Sequence, residues 1–131
     1  MIIDHIGIAV RSIEESSKIY RLLGLEVSHV EVVESQGVKT AFLKLGESNI
    51  ELLEPIDENS PVFKFLEKRG EGIHHIALSV ENIGEKLKEL KNNGVKLINN
   101  EPVKGAHGKL VAFVHPKSAG GVLLELCEKI K

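Results

Sequence analysis

The alternation of apolar and polar positions along this chain is written twice. Ile2 to Val10 is apolar and β-branched with a period of two, which predicts a strand. On it His5, Gly7 and Ala9 share one face, and Ile6, Ile8 and Val10 the other. Ser12 with Glu15 three residues later has capping-box spacing. Ile13, Ser16, Ser17, Tyr20 and Leu23 follow at helical intervals, and Gly24 suits the helix's C-terminal stop. Strands are expected over 25–33, 38–45 and 50–53, with turns at Ser35-Gln36-Gly37 and Gly46-Glu47-Ser48-Asn49. A polar connection then leads to a short helix over 62–68, capped by Ser60 with Pro61 in its first turn. Arg69-Gly70-Glu71-Gly72 reads as a flexible hinge. The order then repeats: a strand over 73–80, a helix over about 83–92, a break at Asn92-Asn93-Gly94, and strands over 95–99, 109–114 and 122–127.

The repetition extends to individual residues. His5 meets His75, Ile13 meets Ile83, and Gly24 meets Gly94 at one constant offset. Ala41-Phe42 meets Ala112-Phe113 one residue further along, and Glu51 meets Glu125 three more. Such drift fits insertions in loops, where they cost little. Two copies of one unit, each with a His on its first strand and a Glu on its last, define the expected fold. It is α+β: two tandem β-α-β-β-β modules forming a curved mixed sheet around a metal-binding cleft. A single domain is expected over 1–131, with module one at 1–55, a linker and short helix at 56–72, and module two at 73–131.

Composition narrows the function classes. With 42% apolar residues, 27% charged residues and a net charge of −2, the chain is ordinary for a soluble globular domain. That charge gives no footing for nucleic acid or an anionic membrane surface. One cysteine, Cys127, excludes an internal disulfide and suits a reducing compartment. No apolar run is long enough for a membrane span or leader, so a cytoplasmic protein is expected.

The candidate chemistry lies in His5, Glu51, His75 and Glu125. Two imidazoles and two carboxylates suit a divalent ion of intermediate hardness and leave positions open for substrate. A strand histidine also serves commonly as a hydrogen-bonded structural residue, and a strand glutamate can face solvent. Against that, Glu51 and Glu125 sit among apolar neighbours, where an unpaired carboxylate is costly. His74 points to the opposite face from His75, so it is expected to be structural or a neighbour of the site. His29, His107 and His115 lack repeat partners and are expected on the surface or in loops. Cys127 is expected as a small, partly buried apolar residue.

Several segments together resemble the vicinal oxygen chelate superfamily, and within it the methylmalonyl-CoA epimerases. They are Asp4-His5-Ile6-Gly7-Ile8-Ala9-Val10, Gln36-Gly37-Val38, Glu51-Leu52-Leu53-Glu54-Pro55, Ser60-Pro61-Val62 with Lys64-Phe65-Leu66, Gly72-Ile73-His74-His75-Ile76-Ala77, Glu101-Pro102, and His115-Pro116-Lys117-Ser118 with Gly120-Gly121-Val122-Leu123. The resemblance implies an epimerase that interconverts (R)- and (S)-methylmalonyl-CoA by removing and returning the C2 proton through a metal-stabilised enolate. It implies His5, Glu51, His75 and Glu125 as metal ligands. Glu125, beside the substrate, is then the candidate acid/base for one face of C2, and Glu51, by module equivalence, the candidate for the other. Cobalt is the first expectation for the metal, with manganese, nickel, zinc or iron as alternatives. An acyl-CoA substrate and a homodimer are implied as well. Lys39, Lys104 and Lys117 are available for CoA phosphates, as are other surface lysines. Some relatives carry a second acid/base glutamate where this chain has Thr40, which has no carboxylate. The competing expectations are a glyoxalase-like lyase or isomerase acting on a thiol adduct, and a metal-free binding module of the same fold.

Overall fold

The computed structural model describes residues 1–129. They fall into two compact units, one of residues 5–74 and one of residues 1–4 with the chain from 75 onward. In chain order the elements are β1 (Ile3–Ala9), α1 (Ile13–Leu22), β2 (Val27–Val33), β3 (Val38–Leu45), β4 (Ser48–Pro55), α2 (Pro61–Arg69), β5 (Gly72–Ser79), α3 (Ile83–Asn92), β6 (Val103–Lys104), β7 (Leu110–Val114) and β8 (Leu124–Glu128). The expected tandem β-α-β-β-β order is therefore present.

In the first unit the strands lie in the order β2-β3-β4-β1. β1 and β4 run parallel, while β3 is antiparallel to both of its neighbours. One face of this mixed sheet packs on α1 through Val10, Ile13, Ala41, Leu43 and Leu52, with Ile8, Tyr20 and Ile50 around them. The other face carries His5, Gly7 and Ala9, as the alternation requires. α1 starts where Ser12 Oγ accepts the Glu15 amide at 3.2 Å. The Glu15 carboxylate pairs with Lys18 at 3.0 Å, and the Ile13 N–H donates to Glu54 Oε1 at 2.9 Å. Ser60 and Pro61 begin α2 as expected, with Ser60 Oγ accepting the Val62 amide at 3.2 Å. Gly37, at φ 66°, closes the short turn before β3; a Cβ there would stand 3.2 Å from Ser60.

The second unit repeats the plan with strand order β5-β8-β7-β6. β5 and β8 are parallel and β7 is antiparallel to β8. α3 covers one face through Val80, Ile83, Leu87, Ala112 and Leu126. The other face buries Ala77, Val111 and Cys127.

Here the expected strands differ in two places. Segment 95–99 is not a strand: only Leu97 bridges to Val114. Asn99 Oδ1 accepts the Phe113 N–H at 2.8 Å, and Ser118 Oγ accepts the Lys96 N–H at 2.8 Å. Side chains thus occupy donors that a ladder would need, and the chain rejoins β7 only at the two residues of β6. β8 begins at Leu124 because Gly120 and Gly121, at φ 63° and 87°, hold the preceding residues in a turn. Gly72, expected in the hinge, is the first residue of β5. Among the described residues no helix is long and apolar enough to cross a membrane.

Candidate active site

The same construction appears once in each unit. In the first, Gly7 of β1 stands opposite Glu51 of β4, which stands opposite Phe42 of β3. His5 precedes Gly7 by two residues and shares its face. Its Nδ1 lies 3.1 Å from Glu51 Oε2. In the second, Ala77 of β5 stands opposite Glu125 of β8, which stands opposite Phe113 of β7. His75 precedes Ala77 by two residues, and its Nε2 lies 3.3 Å from Glu125 Oε1. Small residues beside each carboxylate leave room for the histidine ring to lean along the strand. Phe113 meets the His75 ring edge-on, with centroids 5.6 Å apart and planes at 85°.

All four side chains belong to nearly inaccessible residues: His5 is 5% exposed, Glu51 6%, His75 3% and Glu125 2%. Carboxylates at that depth demand a partner. The observed spacing fits a hydrogen bond, and it also fits a shared ion. Two donors each ~2.1 Å from one divalent cation stand about 3.0–3.4 Å apart at octahedral or tetrahedral angles. Nitrogen and carboxylate oxygen together are the donor chemistry that intermediate cations accept. Each unit therefore supplies one imidazole and one acid in a form suited to ligation.

The remaining histidines divide as the face rule requires. His74 packs its edge on Phe65 of α2, with centroids 5.0 Å apart, and Arg69 stacks over the same Phe65. Burial lowers the His74 pKa, which suits a neutral structural imidazole. His29 lies beside Glu31 at 3.1 Å and against the Phe42 ring. His107 sits in a loop turn at φ 57°, and His115 Nδ1 accepts the Lys117 N–H at 3.1 Å. Thr40 is buried on β3, in register with Glu31 and Leu53. Lys39, Lys104 and Lys117 are exposed.

One charged pair was not foreshadowed by the repeat. Lys109 Nζ lies 2.6 Å from Asp4 Oδ1, and Asp4 is buried. These residues lie 105 positions apart without a counterpart pair in module one, so no periodicity announces them. Cys127, which is almost wholly buried, lies beside them; its thiol donates weakly to the Leu78 carbonyl at 3.6 Å. Burial raises the Cys127 pKa, and the nearby Asp4 and Glu125 charges push it further in the same direction.

The sequence over residues 4–113 matches the Glyoxalase/Bleomycin resistance protein/Dioxygenase superfamily, and the chain belongs to it. Members of that superfamily commonly bind a divalent metal. Within it, the relatives at 40–42% identity are methylmalonyl-CoA epimerases. An ethylmalonyl-CoA/methylmalonyl-CoA epimerase of Cereibacter sphaeroides is 42% identical over 127 residues, covering 95% of each chain. A solved methylmalonyl-CoA epimerase in complex with methylmalonyl-CoA and NH4+ superposes with a TM-score of 0.93 at 42% identity, covering 97% of this chain and 93% of that one. A hypothetical protein of Bacillus halodurans superposes at 0.96 with 57% identity, over 99% of this chain and 95% of its own.

Proposed function

We propose that this chain is an epimerase interconverting (R)- and (S)-methylmalonyl-CoA, with His5, Glu51, His75 and Glu125 as ligands of one divalent ion. The observation that carries the reading is the pair of buried His–Glu contacts, 3.1 and 3.3 Å, repeated at equivalent places in a relative of substrate-bound epimerases. A bound divalent ion would supply Lewis acidity toward the thioester and carboxylate oxygens of the substrate, cobalt being the first candidate.

The chain's own residues account for the proton. The C2 hydrogen lies between a thioester and a carboxylate, so its removal places a second negative charge beside an existing one. Glu125 takes or returns that proton on one face of C2, and Glu51 serves the opposite face. Thr40 offers only a hydroxyl where some relatives have a carboxylate, and Glu51 is proposed for the second acid/base role because it occupies in its module the place that Glu125 occupies in the other. The buried setting of both carboxylates keeps water from competing for the carbanion. Exposed Lys39, Lys104 and Lys117 are among the cations available to CoA phosphates. The two units act as halves of a single domain, in an aqueous cytoplasm, and the working form is a homodimer.

The test is exchange of solvent deuterium into C2 of methylmalonyl-CoA by the purified chain, run beside elemental analysis. Exchange together with about one divalent ion per chain is expected. A cobalt-loaded protein that exchanges nothing, or that turns over methylglyoxal hemithioacetal in preference, would overturn the assignment.

A further inference from the structure

We propose that the Asp4–Lys109 ion pair is a positioning device for His5; the inference rests on the reading of His5 as a metal ligand. Lys109 Nζ and Asp4 Oδ1 are 2.6 Å apart, with the two side chains only 14% and 5% exposed. Taking both charges out of water costs about as much as their attraction returns, so apolar residues of similar size would stabilise the fold as well or better. A pair kept at that depth needs another role.

Its place suggests one. Val111 stands opposite Cys127 and Phe113 opposite Glu125 across β7 and β8. Lys109 precedes Val111 by two residues and has extended backbone angles of φ −76° and ψ 155°. It therefore points to the sheet face that carries Glu125. Its own backbone is fixed on both sides: its N–H donates to the Ala106 carbonyl at 3.2 Å, and its carbonyl accepts the Gly105 N–H at 2.9 Å. The ammonium thus projects from a rigid root and holds the Asp4 carboxylate. Asp4 is joined directly to His5, whose Cα must lie ~3.8 Å from that of Asp4. Fixing Asp4 fixes the root from which the His5 imidazole reaches Glu51. The ion pair acts on His5 from the residue beside it.

The test uses the cobalt-loaded full chain against a competing chelator, together with kcat and KM. In the double variant Asp4→Asn/Lys109→Met no buried charge is left unpaired, so its melting temperature should stay near that of the wild type. Its cobalt should be held about ten- to a hundredfold more weakly, as when other outer partners of ligands are lost. Turnover should fall while KM changes little, and Lys109→Arg alone should recover most of both. A double variant with wild-type cobalt affinity and turnover would overturn the proposal and leave the metal-site reading intact. If the double variant does not fold, Asp4→Asn alone is judged by the same two measurements. A wild-type chain that binds no cobalt overturns both.

Discussion

Glu128 of β8 closes the start of α3: its Oε1 accepts the Ile83 N–H at 3.0 Å and its Oε2 the Asn82 N–H at 3.1 Å. Glu54 does the same at the start of α1, accepting the Ile13 N–H at 2.9 Å. Each of these glutamates follows the buried Glu51 or Glu125 by three residues. The strand alternation sends one acid to the histidine face and the other to the helix face. Asn82 offers no side-chain cap of its own and sits at φ 51°, so Glu128 carries the whole cap in its module. Ser12 shares that task in the other. Glu128→Ala should cost about 1–2 kcal/mol of folding stability, and Glu54→Ala less. Urea unfolding of the two variants checks the order, and a costlier Glu54 loss would contradict it.

His5→Ala and His75→Ala each remove one imidazole from the proposed ligand set. Each variant should lose its metal on dialysis while keeping its secondary structure. Elemental analysis alongside circular dichroism gives the answer; a variant that stays stoichiometrically loaded is not missing a ligand.

Glu125→Gln keeps the shape of the side chain and removes its basicity. Epimerisation should slow by ~10²–10⁴-fold, the usual contribution of a positioned general acid or base. Deuterium exchange at C2 reports this loss directly. Near-normal turnover would take Glu125 out of the proton-transfer role.

The Cys127 thiol should resist alkylation in the native protein at pH 8 and react once the chain is unfolded. Its pKa is raised in the folded state, first by burial and then by the Asp4 and Glu125 charges. The sign of the linkage follows from that. The unfolded thiol ionises near its ordinary value of 9.0 while the folded thiol stays protonated. This contribution to stability is complete below that pH and is lost as pH rises above it. A Cys127→Ala variant should lack this alkaline loss, which unfolding midpoints measured between neutral and alkaline pH would reveal.

Gly105→Ala should destabilise the loop before β7. A Cβ there would lie 2.8 Å from Val111 Cγ1, while the Gly105 backbone, at φ −115°, would accept any residue. Overpacking of this kind costs about 1–3 kcal/mol. Val111→Ala opens the space, so the double variant should lose less than the sum of the two single losses. Strict additivity in a double-mutant cycle would show that the contact is not the cause.

Much of this molecule was legible from the repeat. The bounds of β3 and α3, the Ser60 cap and the placing of one His and one Glu on matched strands of each module follow from alternation, helical spacing and a near-constant offset. The misses share a cause. The strand expected over 95–99 gave way to side-chain hydrogen bonds from Asn99 and Ser118, which no apolar pattern encodes. The capping box at Ser12 and Glu15 is half formed: Ser12 Oγ takes the Glu15 amide, but the Glu15 carboxylate turns to Lys18. Asp4 with Lys109 had no echo in module one, and a contact spanning 105 positions leaves no local trace.

The parallel pairing of β1 with β4, and of β5 with β8, carries a consequence for how the molecule is made. A parallel pair cannot close through a hairpin and must wait for its crossover to be laid down. During synthesis the first imidazole gains its acid while the second still lacks one. A cation held by the proposed four-residue set would then be captured late in folding and would not seed it.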